Sequence, residues 1–131
     1  MATASGTFEV LSGDETPIHE AEGEPRSTHA SGTQRFSGDI EGDGSIDWLM
    51  CYLPAGGARM VGLQRISGTI GSRSGTVIID VVGDHDGKAS QAVWHVVDGS
   101  GTGALAGIRG EGRFEAPGGA TVAYHLDYEI D

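Results

Sequence analysis

The side chains best suited to holding a metal or moving a proton are five histidines, nineteen acidic residues and the lone Cys51. His19 sits beside Glu20, Glu22 and Glu24, the densest group of nitrogen and oxygen donors, but no pair among them has a firm metal-site spacing. His85 falls in a DHDG turn, while His95 and His125 alternate away from Trp94 and from Tyr124 and Leu126, which puts them on an outer surface. The segment DIEGDG at 39–44 imitates the start of a calcium loop, yet its twelfth position is Met50, where a bidentate glutamate is required. Ser72, Ser74 and Ser100 lack the GxSxG frame of a nucleophile elbow. These patterns predict neither a metal centre nor a bound cofactor.

The glycines of DGSGTGALAGIRGEGRF at 98–114 raise the question of phosphate binding. Gly101, Gly103 and Gly107 give GxGxxxG rather than GxGxxG, and Lys88, the only lysine, is outside the segment, so no GxxxxGK loop exists. From Ile108 onward the chain alternates like a strand, where a dinucleotide fingerprint would open a helix. The glycines therefore mark a sharp turn or a close backbone approach in a β-protein.

The remaining candidates are aromatic. Strand-like runs fall at 3–11, 28–40, 45–53, 58–70, 74–82, 88–97, 108–116 and 120–129, with no amphipathic helix between them. EGDG at 41–44, PAGG at 54–57, GDHDG at 83–87 and PGG at 117–119 read as turns. The acidic interval 13–26, with Pro17 and Pro25, reads as a loop or lid. Alternation gathers Ile46, Trp48, Met50 and Tyr52 on one face, as it does Met60, Gln64 and Ile66, then Ala92, Trp94 and Val96, then Ile108 and Phe114, then Tyr124, Leu126, Tyr128 and Ile130. Arg109, Glu111, Arg113 and Glu115 form a charge ladder on the opposite face.

Eight such strands without a covering helix must close or pair. The expected fold is all-β, one closed eight-stranded antiparallel barrel domain over residues 1–131, just wide enough for side chains or one small ligand. A net charge of −11 disfavours nucleic acid and anionic membranes as partners. No run reaches the roughly 20 apolar residues of a membrane span, and Met1–Ser12 does not read as a signal peptide. A cytoplasmic chain is expected.

The segment GSGTGALAGIRGEGRF at 99–114, preceded by Trp94 and Val96–Val97, resembles the signature of a bacterial family of small uncharacterised proteins. SGTFEV at 5–10, RFSGDIEGDGS at 35–45, LMCY at 49–52, VGLQRISGTIGSRSGT at 61–76 and YHLDYEI at 124–130 extend the resemblance over nearly the whole chain. It implies a barrel like that of allene oxide cyclase, a fold shared with dirigent proteins, which steer ring closure or coupling of apolar intermediates without a cofactor. The resemblance also implies a glutamate where this chain has Gln64.

Two functional readings are open. In the first, Trp48, Met50, Tyr52, Gln64, Ile66, Trp94, Phe114 and Tyr124 line an interior that binds a small apolar molecule. Cofactor-free isomerase or cyclase activity would extend that role, with Gln64, Tyr52 and Tyr124 donating to a carbonyl or developing oxyanion. In the second, the barrel is filled and the protein is a structural module. Val77, Ile79, Val81 and Val93 would then point outward and form a homo-oligomer interface.

Overall fold

A computed structural model describes residues 1–118 and 121–130. Eight antiparallel strands succeed one another around a closed barrel: β1 (Ala2–His19), β2 (Arg26–Gly38), β3 (Ile40–Tyr52), β4 (Ala58–Ile70), β5 (Arg73–His85), β6 (Ser90–Val96), β7 (Ile108–Ala116) and β8 (Thr121–Ile130). One short 3₁₀ turn, Gly103–Leu105, interrupts the pattern. No helix among the described residues is long and apolar enough to cross a membrane.

Closure is made by β1 and β8, which pair from Ala2↔Tyr128 to Glu9↔Thr121. β1 has 18 residues and β8 has 10, so β1 outruns its partner. Among the described residues, β1 beyond Glu9 pairs with β2 alone, as far as His19↔Ser27. The interval 13–26 is thus mostly not a loop, as its prolines and charges suggested, but a two-stranded extension turned at residues 22–24. Polar residues suit it because β1 is exposed from Glu9 to His19. Pro17 is tolerated there because the second edge of β1 has no neighbour to receive an N–H.

Of two other expected turns, one lies inside a strand and one begins later than its first residues suggested. Residues 41–44 belong to β3, and the chain reverses earlier, at Gly38 and Asp39, with Gly38 at φ 105°. The glycines of that run serve close approach instead. Gly42 faces Gly68, which in turn faces Gly75, and a Cβ on Gly68 would stand 2.0 Å from the Glu41 carbonyl oxygen. β5 likewise continues to His85, and the turn behind it is held by Asp86, whose carboxylate accepts from the Lys88 and Ala89 N–H groups. The turn expected at 117–119 extends to Gly119, which lies outside the described residues, as does Ala120 at the expected start of the last strand.

Inside, one half of the barrel is filled. Trp94 lies at ring-centroid distances of 6.4 Å from Phe8, 6.2 Å from Phe36, 6.2 Å from Phe114 and 5.7 Å from Tyr124. Ile40, Ile66, Ile70, Leu126 and Ile108 complete the core. Val77, Ile79 and Val81, expected outside, are buried here, since Ile79 pairs with Gln64 and shares its inward face. Only Val93 of that group is exterior.

The glycine-rich segment closes the filled end. β6 pairs with β5 only from Ile79 to His85, which leaves the first half of β5 without a strand on that side. The chain after β6 takes its place. Val97 N–H donates to the Ile78 carbonyl and Thr102 N–H to the Thr76 carbonyl, while the Ser100 hydroxyl receives the Ile78 N–H. Gly75 admits this contact, for a Cβ there would meet the Thr102 carbonyl oxygen at 1.9 Å. The 3₁₀ turn then delivers Leu105, fully buried, as a plug. Leu105→Ala is expected to lower unfolding free energy by about 2–5 kcal/mol, measured by urea denaturation; a loss below about 0.5 kcal/mol would mean that the end is closed by other groups.

Candidate functional site

The end of the barrel away from the β2–β3 turn holds a cavity of about 470 Å³. Its walls are mainly apolar, with Phe8, Ile46, Trp48, Met50, Met60, Phe114 and Val122, and Ser12, Asp14, Glu15, Ser31, Gln34 and Ser90 also line it. Each apolar residue comes from an inward position of its strand, and Met50 faces Met60 across the β3–β4 pair. Ala30 opposite Trp48, and Gly13 opposite Gly32, keep the β1–β2 wall thin.

A buried polar chain underlies this space. Trp94 Nε1 donates to Gln64 Oε1 at 3.1 Å, and Gln64 Nε2 donates to Gln34 Oε1 at 3.0 Å. Gln64 and Trp94 are fully enclosed, whereas Gln34 reaches the cavity and lines it. Gly44 makes that reach possible, since a Cβ there would stand 2.8 Å from Gln34 Oε1. Each link matters energetically, because an unsatisfied buried polar group costs about 1–3 kcal/mol.

At the mouth stands Glu15. Thr28 Oγ1 donates to its Oε2 at 2.6 Å, and the Tyr52 hydroxyl donates to the same oxygen at 2.5 Å. Arg26 rests over the Tyr52 ring, 4.4 Å from its centroid. The two hydroxyl donors, Thr28 first and Tyr52 second, hold the Glu15 carboxyl below the usual carboxylate range. Burial, and then the hydrogen bond to Glu15, push the Tyr52 phenol up from its ordinary value.

A β-bulge turns Glu15 inward. Val10 pairs with Gln34 and Ser12 with Thr33, so Leu11 is the extra residue. Before it, the inward residues of β1 are even-numbered, as in Phe8 opposite Phe36. After it they are odd-numbered, with Gly13, Glu15 and Pro17 opposite Gly32, Ala30 and Thr28.

Of the eight residues expected to form a site, Trp48, Met50 and Phe114 line the cavity. Tyr52 stands at its mouth, bound to Glu15. Gln64, Ile66 and Trp94 are buried in the core beneath it. Tyr124 is directed to the other end, where its hydroxyl donates to the Ser37 carbonyl and accepts the Ile40 N–H at 2.8 Å, bracing the β2–β3 turn. The polar residues missed were Gln34, Glu15 and Thr28, on stretches whose polar composition hid their facing, and the apolar walls Phe8, Ile46, Met60 and Val122 were missed as well. Among the described residues, no three His, Cys, Asp or Glu side chains gather as metal ligands. His19 instead lies 3.6 Å from Glu24 in the extension.

A family model described as "Protein of unknown function (DUF3224)" matches residues 4–128. The chain belongs to the DUF3224 family. Its fold is also that of a crystal structure of a DUF3224 protein of unknown function from Shewanella oneidensis MR-1, with a TM-score of 0.76 over 99% of both chains at 18% identity. No curated protein matches the chain. Within this DUF3224 barrel the mouth therefore has to be interpreted from its own chemistry.

The Glu15–Tyr52 contact has a pH signature. Glu15, with a lowered pKa, adds stability that is complete above the ordinary carboxylate value and is lost as pH falls through its folded pKa. Tyr52, with a raised pKa, adds stability that is complete below the ordinary phenol value and is lost as pH rises through its folded pKa. In ring-labelled protein followed by NMR, Tyr52 is expected to titrate above the ordinary phenol value of 10.0, and Glu15→Gln to bring it part of the way down. An unchanged Tyr52 titration in Glu15→Gln would mean that the carboxylate does not act on the phenol.

Proposed function

We propose that this protein binds a small, largely apolar molecule in the cavity end of its barrel. The observation that carries this reading is the cavity itself: about 470 Å³ with mainly apolar walls above the Gln34–Gln64–Trp94 chain. Ligand sites combine such walls with a few placed polar groups, in volumes of roughly 300–1,000 Å³. With its carbonyl oxygen engaged by Gln64, Gln34 has amide N–H groups to offer at the floor, and Glu15 offers a carboxylate at the mouth. Cofactor-free isomerisation or cyclisation of such a ligand would use the aromatic walls to hold one reactive conformer. Glu15, through its Oε1, would be its proton-accepting group, since Gln64, Tyr52 and Tyr124 use their polar atoms within the protein.

Binding is tested by calorimetric titration with 1-octanol, a neutral apolar probe. One saturable site per barrel is expected, with a change in Trp48 fluorescence. Ala30→Phe fills the cavity from the β2 wall and should abolish binding while unfolding remains cooperative. Absence of saturable binding to the native chain, or octanol affinity unchanged in Ala30→Phe, would overturn the reading.

We also propose self-association, on an independent observation. Leu49, Val61, Val82 and Val93 pair in sequence across β3, β4, β5 and β6, forming one exterior apolar row with exposures of 54%, 43%, 40% and 64%. An exposed apolar band of this kind suits burial against another copy. Light scattering of the native chain at micromolar concentration should give a mass above that of one 13.5 kDa chain, and Val93→Glu should reduce it to that mass. A monomeric native chain would refute this interface.

A further inference from the structure

The cavity is electrically one-sided. Its two charged lining residues are Asp14 and Glu15, and no lysine or arginine is among the described residues that line it. Arg26 is close, but lies over the Tyr52 ring. The chain as a whole carries −11. A ligand with a carboxylate or phosphate head would therefore meet Asp14 and Glu15 at the mouth, where Arg26, the nearby cation, already acts on Glu15.

Glu15 is also held in one orientation. Both of its hydroxyl donors, Thr28 and Tyr52, bind Oε2, and neither binds Oε1. One oxygen is thus used to fix the carboxylate, and the other keeps its lone pairs for a donor. Thr28 is itself 2% exposed, so this fixing contact sits on the barrel wall and not on a loose surface side chain. Along β2, Ala30 beside Glu15 and Gln34 at the floor are four residues apart, roughly 13 Å at the rise of a strand. Between them the lining carries no charge: Trp48, Met50 and Phe114 stand there with the small residues Ser31 and Gly32.

We infer that the cavity takes a small amphipathic amine, its protonated nitrogen held at Oε1 of Glu15 and its hydrocarbon body lying against Trp48, Met50 and Phe114. The inference rests on the small-molecule reading given above and names the ligand class of that same site. An ammonium group supplies the charge-assisted hydrogen bond that Oε1 lacks. It also leaves Asp14 as a second, unbridged attraction at the rim. Trp48 and Phe114, 6.1 Å apart and edge to face, offer the walls for an alkyl or ring body.

Three probes of one length separate the terms: octylamine, 1-octanol and octanoate, titrated into the native chain at neutral pH and moderate salt. Octylamine is expected to bind about tenfold more tightly than octanol, and octanoate more weakly than either. Glu15→Gln should remove the preference for the amine while octanol affinity stays the same. Glu9→Gln, on the outer face of the same strand, should leave the preference intact, because the site and not the overall charge makes it. Octanol binding without any gain for octylamine would overturn the amine inference and leave the cavity reading standing. An equal loss in Glu9→Gln and Glu15→Gln would assign the preference to net charge and overturn it too. Failure of all three probes would remove the cavity reading itself.

Discussion

Ring closure is the constraint on which everything else in this barrel depends. Seven of the eight strand pairings join neighbours in sequence, and the eighth joins β1 to β8. Among the described residues, that last pairing runs along β1 as far as Glu9. The rest of β1 then has one partner, stands beyond the ring, and carries Glu15 to the mouth. Closure also fixes the interior width. With one half filled by Phe36, Trp94 and Tyr124, and with Phe8 and Phe114 at its boundary, the cavity lies toward the other end. A filled core and an open cavity therefore coexist in one barrel, at different heights.

The two halves meet at the glutamines. Gln64 lies beside Ile46 in the sheet and Gln34 beside Gly44, so the pair spans the level at which the aromatic core gives way to empty volume. Apolar residues at both positions would fill this level without any polar contact. Instead Gln64 satisfies Trp94 on one side and Gln34 on the other. The consequence is that the Trp94 indole is fixed in the core, while a polar group is carried upward to the cavity floor at Gln34.

Much of the fold was legible in the sequence because alternation is a local signal. β4 and β7 fall on their expected ranges, and the inward row of Trp48, Met50, Gln64, Trp94 and Phe114 comes from period two. The failures have physical causes. The run EGDG has turn composition, but its glycines answer to strands pressing from the side, which nothing in a local window reveals. In β5, Val77, Ile79 and Val81 sit beside the equally apolar Ile78 and Val82, so hydrophobicity alone does not say which set faces in. The site was harder still. Its mouth lies on a solvent-exposed extension where polar residues occupy both faces, and facing there is set by pairing with β2 rather than by burial.

The bulge at Leu11 separates chain length from chain facing. A residue gained or lost at that point alters the bulge and leaves the pairs beyond it, Gly13 with Gly32 and Glu15 with Ala30, as they are. A residue gained or lost between Gly13 and Glu15 would rotate the carboxylate to the outside and bring a neighbour in. Insertions two or three positions apart thus have opposite consequences: the first is absorbed as slack, and the second changes which side chain faces the mouth of the barrel.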